Sequence, residues 1–239
     1  MPLPKISHPI SEFIQPSTGK KIKFRPYLQK EEKILMAAKQ GMYQPDGLKN
    51  IFMAMEQILT NCCLDRNIKF DEIPIFDFEI FFLKLRAISV NNKENVTIKD
   101  SEDKKDYKSE IDFNAISVTF PETPADKNIK LPGDIILTLK YPSAKIYQND
   151  DLIKNLAKDD LFDLVLECVD KVYKKDTIIP FERSEMIEWL GTFDHSNFQK
   201  LKDWIYKFPR IHYEIGYKNS LGNERKEEFK SLADFFFCL

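Results

Sequence analysis

Glycine is scarce in this chain, with seven among 239 residues. That leaves little material for glycine-rich loops that cradle phosphate, and neither G-x-G-x-x-G nor G-x-S-x-G occurs. Cysteines number four, at Cys62, Cys63, Cys168 and Cys238, with no C-x-x-C pair and no short disulfide framework, as in a protein made in a reducing cytoplasm. The three histidines, His8, His195 and His212, show no two-His metal spacing, so no metal site and no cofactor are expected. Long apolar runs are missing too. The longest, Ile34–Ala38, Ile51–Met55 and Phe235–Leu239, are five residues each, far below the ~18 of a membrane span. Met1-Pro-Leu-Pro-Lys5 has no apolar core of a signal peptide, so secretion by that route is not expected. Charge of one sign is missing as well. Lys and Arg total 36 against 38 Asp and Glu, a net of −2, which gives no general nucleic-acid footprint.

What the chain does have is phenylalanine, 19 residues, so the core is expected to be Phe-rich. Four stretches are predicted. In residues 1–90, Lys20–Phe24 reads as a strand after the Pro16-Ser-Thr-Gly19 turn, and Leu28–Lys39 as a helix closed by Gly41. Leu48, Ile51, Phe52, Met55, Ile58, Leu59 and Cys62 recur at helical spacing and form one apolar stripe. A further helix is predicted from near Asp77, carrying Phe78, Phe81, Phe82, Leu85 and Ile88, with Ile80 and Leu83 making it nearly surrounded. Residues 91–144 have β character. Asn91–Glu110 holds six acids and five lysines and reads as a hairpin with a solvated tip near Asp100–Asp106. Ile111 and Phe113 alternate, as do Ile116 and Val118 after a phase shift that suits a bulge. Asp134–Lys140 is another strand.

Residues 145–208 read as helical. Leu161, Leu164, Val165, Cys168, Val169 and Val172 make a stripe, Ser184 caps a short helix through Trp189, and Ser196 with Gln199 forms a capping box ahead of Phe198–Phe208. Residues 209–239 give a hairpin, Ile211 to Phe229 around Asn219–Asn223, and an apolar tail. The fold class expected is α+β. The N-terminal and third segments pack their helices together, with an antiparallel β insertion between them and a C-terminal hairpin.

The residues that could carry chemistry have structural explanations. Gly19-Lys20-Lys21 lacks the earlier glycine and the following Ser or Thr of a phosphate loop. Asp194-His195-Ser196 is a sequence neighbourhood, whereas a triad is an arrangement in space. Asp159-Asp160 suits a helix dipole, and Cys62 continues an apolar stripe. No catalytic residue is assigned. The unusual feature is Phe235-Phe236-Phe237. Three consecutive Phe cannot all enter one core from a regular element, so the tail either packs internally on several sides or offers a partner contact.

Several segments, in order, resemble a phage family. They are Phe13-Ile-Gln-Pro-Ser-Thr-Gly-Lys-Lys-Ile-Lys-Phe-Arg-Pro-Tyr27, Lys30-Glu-Glu-Lys-Ile-Leu-Met-Ala-Ala38, Phe82-Leu-Lys-Leu-Arg-Ala-Ile-Ser-Val90, Leu139-Lys-Tyr-Pro-Ser143, Phe208-Pro-Arg-Ile-His-Tyr-Glu214 and Leu232-Ala-Asp-Phe-Phe236. The set resembles the baseplate hub subunit and hub assembly proteins of T-even-type contractile-tailed phages. The resemblance implies a structural role in the tail baseplate of the virion, with no reaction. It implies other hub proteins and the tape-measure protein as partners, homo-oligomerisation as an option, and neither membrane nor nucleic acid. Many relatives carry Cys-x-x-Cys-Gly in the last hairpin. Here Lys218-Asn-Ser-Leu-Gly222 stands there without the cysteines, so a metal-stabilised knuckle is not expected, and Ile211, Tyr213, Ile215 and Phe229 must hold the hairpin. Three alternatives are a non-virion assembly chaperone, an enzyme with an unrecognised site, and a degenerate zinc-ribbon nucleic-acid binder. The last needs a basic face.

Overall fold

The computed structural model describes residues 6–41, 44, 46–156, 158, 160–232 and 234–235. The chain divides into two compact units: residues 1–119 with 210–239, and residues 120–209. It is an α+β protein, and every strand pair among the described residues is antiparallel.

The first unit opens with a hairpin, β1 (Ser11–Ile14) and β2 (Lys21–Phe24). Its turn closes through the Gln15 N–H on the Lys20 carbonyl at 2.8 Å, and Gly19 takes the positive φ of 71° that the turn requires. Three helices follow: α1 (Gln29–Gln40), α2 (Gly47–Cys62) and α3 (Ile75–Ser89). The α2 stripe is as the spacing predicts, with Ile51, Phe52, Met55, Ile58, Leu59 and Cys62 all buried, although Leu48 is exposed. Helix α3 is nearly surrounded, since Phe76–Leu83 are buried without a break. Phe24, Phe70 and Phe81 pack ring on ring at 5.5–6.2 Å, and Phe52 meets Phe78.

Two acids on α3 are buried and therefore need partners. Asp77 accepts from Gln15 Nε2 at 2.8 Å, from the Ser17 N–H at 3.0 Å and from Ser17 Oγ. Glu79 accepts the Leu232 N–H at 3.1 Å. These bonds tie a turn near the start and a segment near the end of the chain to one helix. A third buried acid, Glu31, caps α1 by accepting the Leu28 N–H and pairs with Arg25 at 2.9 Å. Burial works against its charge, but the Arg25 and Leu28 bonds outweigh this and hold its carboxyl below the ordinary range.

The unit is completed by the hairpin β3 (Lys93–Lys99) and β4 (Asp106–Asp112) and by a three-stranded sheet. In that sheet β10 (Arg210–Lys218) lies between β11 (Glu224–Phe229) and β5 (Ser117–Thr119). The phase shift near Ala115–Ile116 is not a bulge. The chain turns after β4 and changes partner, so that β5 pairs with β10, its Val118 opposite Ile211. Lys84 of α3 fixes this turn, donating to the Phe113 and Asn114 carbonyls at 3.2 and 2.7 Å.

The second unit has a four-stranded sheet in the order β6 (Asn128–Leu131), β7 (Ile135–Leu139), β8 (Val169–Lys174), β9 (Thr177–Ile179). Its helices are α4 (Asp150–Leu156), α5 (Phe162–Cys168), α6 (Arg183–Gly191) and α7 (His195–Tyr206). Here the stripe from Leu161 to Val172 misleads. Leu164, Val165 and Cys168 are helical, but Val169 and Val172 belong to a strand, opposite Leu139 and Leu137. Valine suits a pleated, half-buried surface, and the waiting β7 edge decides the matter. The expected β stretch at 91–144 is thus shared out: β3–β5 lie in the first unit, β6 and β7 in the second, and the 209–239 hairpin joins the first.

Helix starts also differ from the serine caps read in the sequence. Glu182 caps α6, its N–H donating to Glu185 Oε2 at 2.7 Å. Asp194 caps α7, Oδ1 accepting the Asn197 N–H at 2.7 Å, so Ser196 sits inside the helix. Asp194→Ala is therefore expected to destabilise the second unit by ~1 kcal/mol. Ser196→Ala should change it by less, and urea melts of the two variants compare the caps.

Candidate partner-contact site

Leu232 and Phe235 are buried, and Phe235 packs against Phe229 at 5.1 Å, Phe113 at 6.2 Å and Tyr213 at 6.4 Å. Its ring completes an aromatic cluster of the first unit, together with Arg86, whose guanidinium lies 4.3 Å from the Phe113 ring centroid. Asp234 supports the segment by accepting the Lys230 and Ser231 N–H groups, both at 2.8 Å. Phe235 thus closes this chain's own core, while Phe236 and Phe237 lie outside the described residues.

The other residues singled out from the sequence stay apart or serve structure. Gly19-Lys20-Lys21 is the β1–β2 turn. Asp194 is occupied as a cap, and His195 opens α7 on the surface. Cys62 is buried against the Arg25 guanidinium, and burial pushes its thiol up to about 12. Cys63 donates to the Asp65 carbonyl, and burial raises Cys168 as well. These thiols are poor thiolates at neutral pH. Among the described residues no group of three or more His, Cys, Asp or Glu could hold a metal ion. No helix there is long and apolar enough to cross a membrane.

Two features escaped the sequence reading. In the second unit a groove of about 380 Å³ runs between the sheet and α6. Ile135, Val172 and Ile179 line one wall, Met186 and Trp189 the other, with Lys174 and Glu185 also lining it. Beside it, β9 is an edge strand with Ile178 and Ile179 exposed. The sequence reading takes residues 145–208 as helical, so neither β9 nor its edge position was legible there.

The second feature is the tip of the β3–β4 hairpin. Ser101, Glu102 and residues 104–106 are exposed as the charge suggests, but Asp100 is wholly buried. Asp100 Oδ1 accepts the Glu102 and Asp103 N–H groups at 2.8 and 2.9 Å, and Oδ2 accepts Tyr217 Oη at 2.8 Å and Arg225 Nε at 3.2 Å. Asp103 Oδ2 accepts Tyr107 Oη at 2.5 Å and Ser220 Oγ at 2.7 Å. Glu102 Oε2 accepts Asn219 Nδ2 at 2.7 Å, and Asn223 Nδ2 reaches Oε1 at 2.9 Å. Backbone N–H bonds, chiefly from Asp103, hold the Asp100 carboxyl below its ordinary range. For Asp103, desolvation acts the other way, but bonds from Tyr107, Lys105 and Ser220 prevail and its carboxyl is also lowered. The two hairpins are locked tip to tip, through the 100–103 turn and the Asn219–Asn223 turn.

The fold is mixed α+β, and the polar clusters described above lock one segment of the chain to another. Comparison supplies the class. The family model described as T4 bacteriophage base plate protein matches residues 8–237, nearly the whole sequence. The chain belongs to that family, and its role is a structural one in the phage tail baseplate, in contact with other baseplate proteins. No curated protein and no solved structure matches it.

Proposed function

We propose that this protein is a component of the central hub of a contractile phage tail baseplate and acts there by protein–protein contacts without catalysing a reaction. One observation carries this reading: the family match runs from residue 8 to residue 237, through both units and up to the aromatic tail. The ordered segments that resemble hub subunit and hub assembly proteins refine it from baseplate to hub. Its partners are then other hub proteins and the tape-measure protein, with further copies of the chain as an added option. Mass spectrometry of purified virions tests retention. The protein is expected in amounts comparable to other hub parts, and its depletion from finished particles would instead identify an assembly chaperone that departs.

The tail supplies the contact to be tested. Large apolar side chains carry most interface energy. Phe235 is committed to the core, so Phe236 and Phe237 are the tail's anchors in this reading. A chain ending after Phe235 is expected to melt like the full chain yet fail to co-purify with hub partners. Normal incorporation of that truncated chain would remove the tail from the interface.

A further inference from the structure

The apolar anchoring of the β10–β11 hairpin ends partway along it. Ile211, Ile215 and Phe229 are buried at its root. From Gly216 to Glu228 no apolar side chain is buried, and Leu221 at the turn is largely exposed. The apolar contact that remains at the tip is the Tyr107–Tyr217 ring pair, 5.1 Å apart. The other bonds between the two tips are polar and mostly sorted by side, the exceptions being Lys105 Nζ, which donates to Ser220 Oγ at 2.9 Å, and Tyr107 Oη, which accepts the Ser220 N–H. The 100–103 turn supplies the carboxylates of Asp100, Glu102 and Asp103. The hairpin tip supplies donors: Tyr217 Oη, Asn219 Nδ2, the Ser220 N–H and Oγ, Asn223 Nδ2 and the Arg225 guanidinium, which reaches Asp100 at 3.2 Å and Ser101 Oγ at 2.8 Å.

Such a network is all or none. A carboxylate as buried as Asp100 is strongly destabilised when unpaired, whereas both sides satisfy their bonds with water once separated. Half-open states are therefore disfavoured. The roots have independent support. Tyr213 Oη accepts the Asp112 N–H at 2.9 Å, and β10 pairs with β5 through Arg210–His212.

We propose that residues 217–225 form a separable strap, latched to the 100–103 turn by this polar clasp and able to lift as one unit while the roots of both hairpins stay packed. Lifting exposes little apolar surface and breaks no part of the Phe-rich core. It frees a row of donors that a carboxylate-rich surface of a neighbouring protein can take over. The strap thus allows the chain to exchange an internal contact for an external one without unfolding. The proposal stands apart from the hub reading, because the isolated chain tests it.

Hydrogen exchange read by mass spectrometry on the full chain is the experiment, comparing the unaltered protein with Arg225→Ala, Asp100→Asn and the milder Tyr217→Phe. Tyr217→Phe keeps the ring pair and removes one donor to Asp100. Glu224→Gln, beside the clasp with no bond into it among those given above, is the control. In the three clasp variants, peptides over 100–107 and 217–226 are expected to exchange together, roughly 10-fold faster or more. Peptides over α3 and over 210–215 keep their protection, and the melting midpoint is unchanged. Three results overturn the proposal. Loss of protection throughout the first unit makes the clasp part of the core. Acceleration on the mutated side alone means that the two tips do not open as one. Unchanged exchange in all three variants means that the contacts hold nothing.

Discussion

A Leu59→Asp chain is expected not to fold. Leu59 is wholly buried on α2, in the stripe with Ile51, Phe52, Met55, Ile58 and Cys62. The substitution removes a core side chain and places an unpaired carboxyl where no described donor waits. Losing the leucine alone costs ~2–5 kcal/mol, and the buried polar group adds to this, so the sum approaches a domain's whole stability of ~5–15 kcal/mol. Leu59→Met keeps volume and polarity and should cost less than ~1.5 kcal/mol. The pair is read by the far-UV circular dichroism melt. Leu164→Asp applies the same stress to the second unit, where Leu164 is also buried. A soluble Leu59→Asp chain with an unchanged melt would mean that the α2 face is misassigned.

Phe235→Ala is expected to lower the stability of the first unit by ~3–5 kcal/mol, the usual cost of emptying a buried aromatic site. The ring lies among Phe113, Tyr213 and Phe229, which come from two other segments of the chain, and removing it opens a cavity where they meet. Truncation after Ala233 deletes the same ring and should unfold the first unit, in contrast to truncation after Phe235. Trp189 and Trp204 both lie in the second unit. Their fluorescence therefore reads that unit directly, while circular dichroism follows both. A Phe235→Ala melt within ~0.5 kcal/mol of the unaltered chain would show that the cluster tolerates the vacancy.

The α+β class, the α2 stripe, the nearly buried α3 and the two hairpins at 93–112 and 210–229 were legible in the sequence, because each is written in local periodicity or turn chemistry. A helix repeats its buried face every three or four residues, and a strand every two, whatever surrounds it. Membership in a phage baseplate family was legible too, as ordered segments spread over most of the chain.

Other features had no local signature. Val169 and Val172 fit a helical stripe as well as a strand, and the edge of β7 settles which they join. Asp100 sits in a run of charge that reads as solvated, and it is buried by Tyr217 and Arg225, 117 and 125 residues away in sequence. Phe235 could face inward or outward on pattern alone, and the gap between Phe113, Tyr213 and Phe229 decides. The sequence by itself determined the elements with a clear local period and the membership in a baseplate family. Partners, edges and the burial of charge were left to the tertiary structure, because their free energy depends on groups that only folding brings within reach.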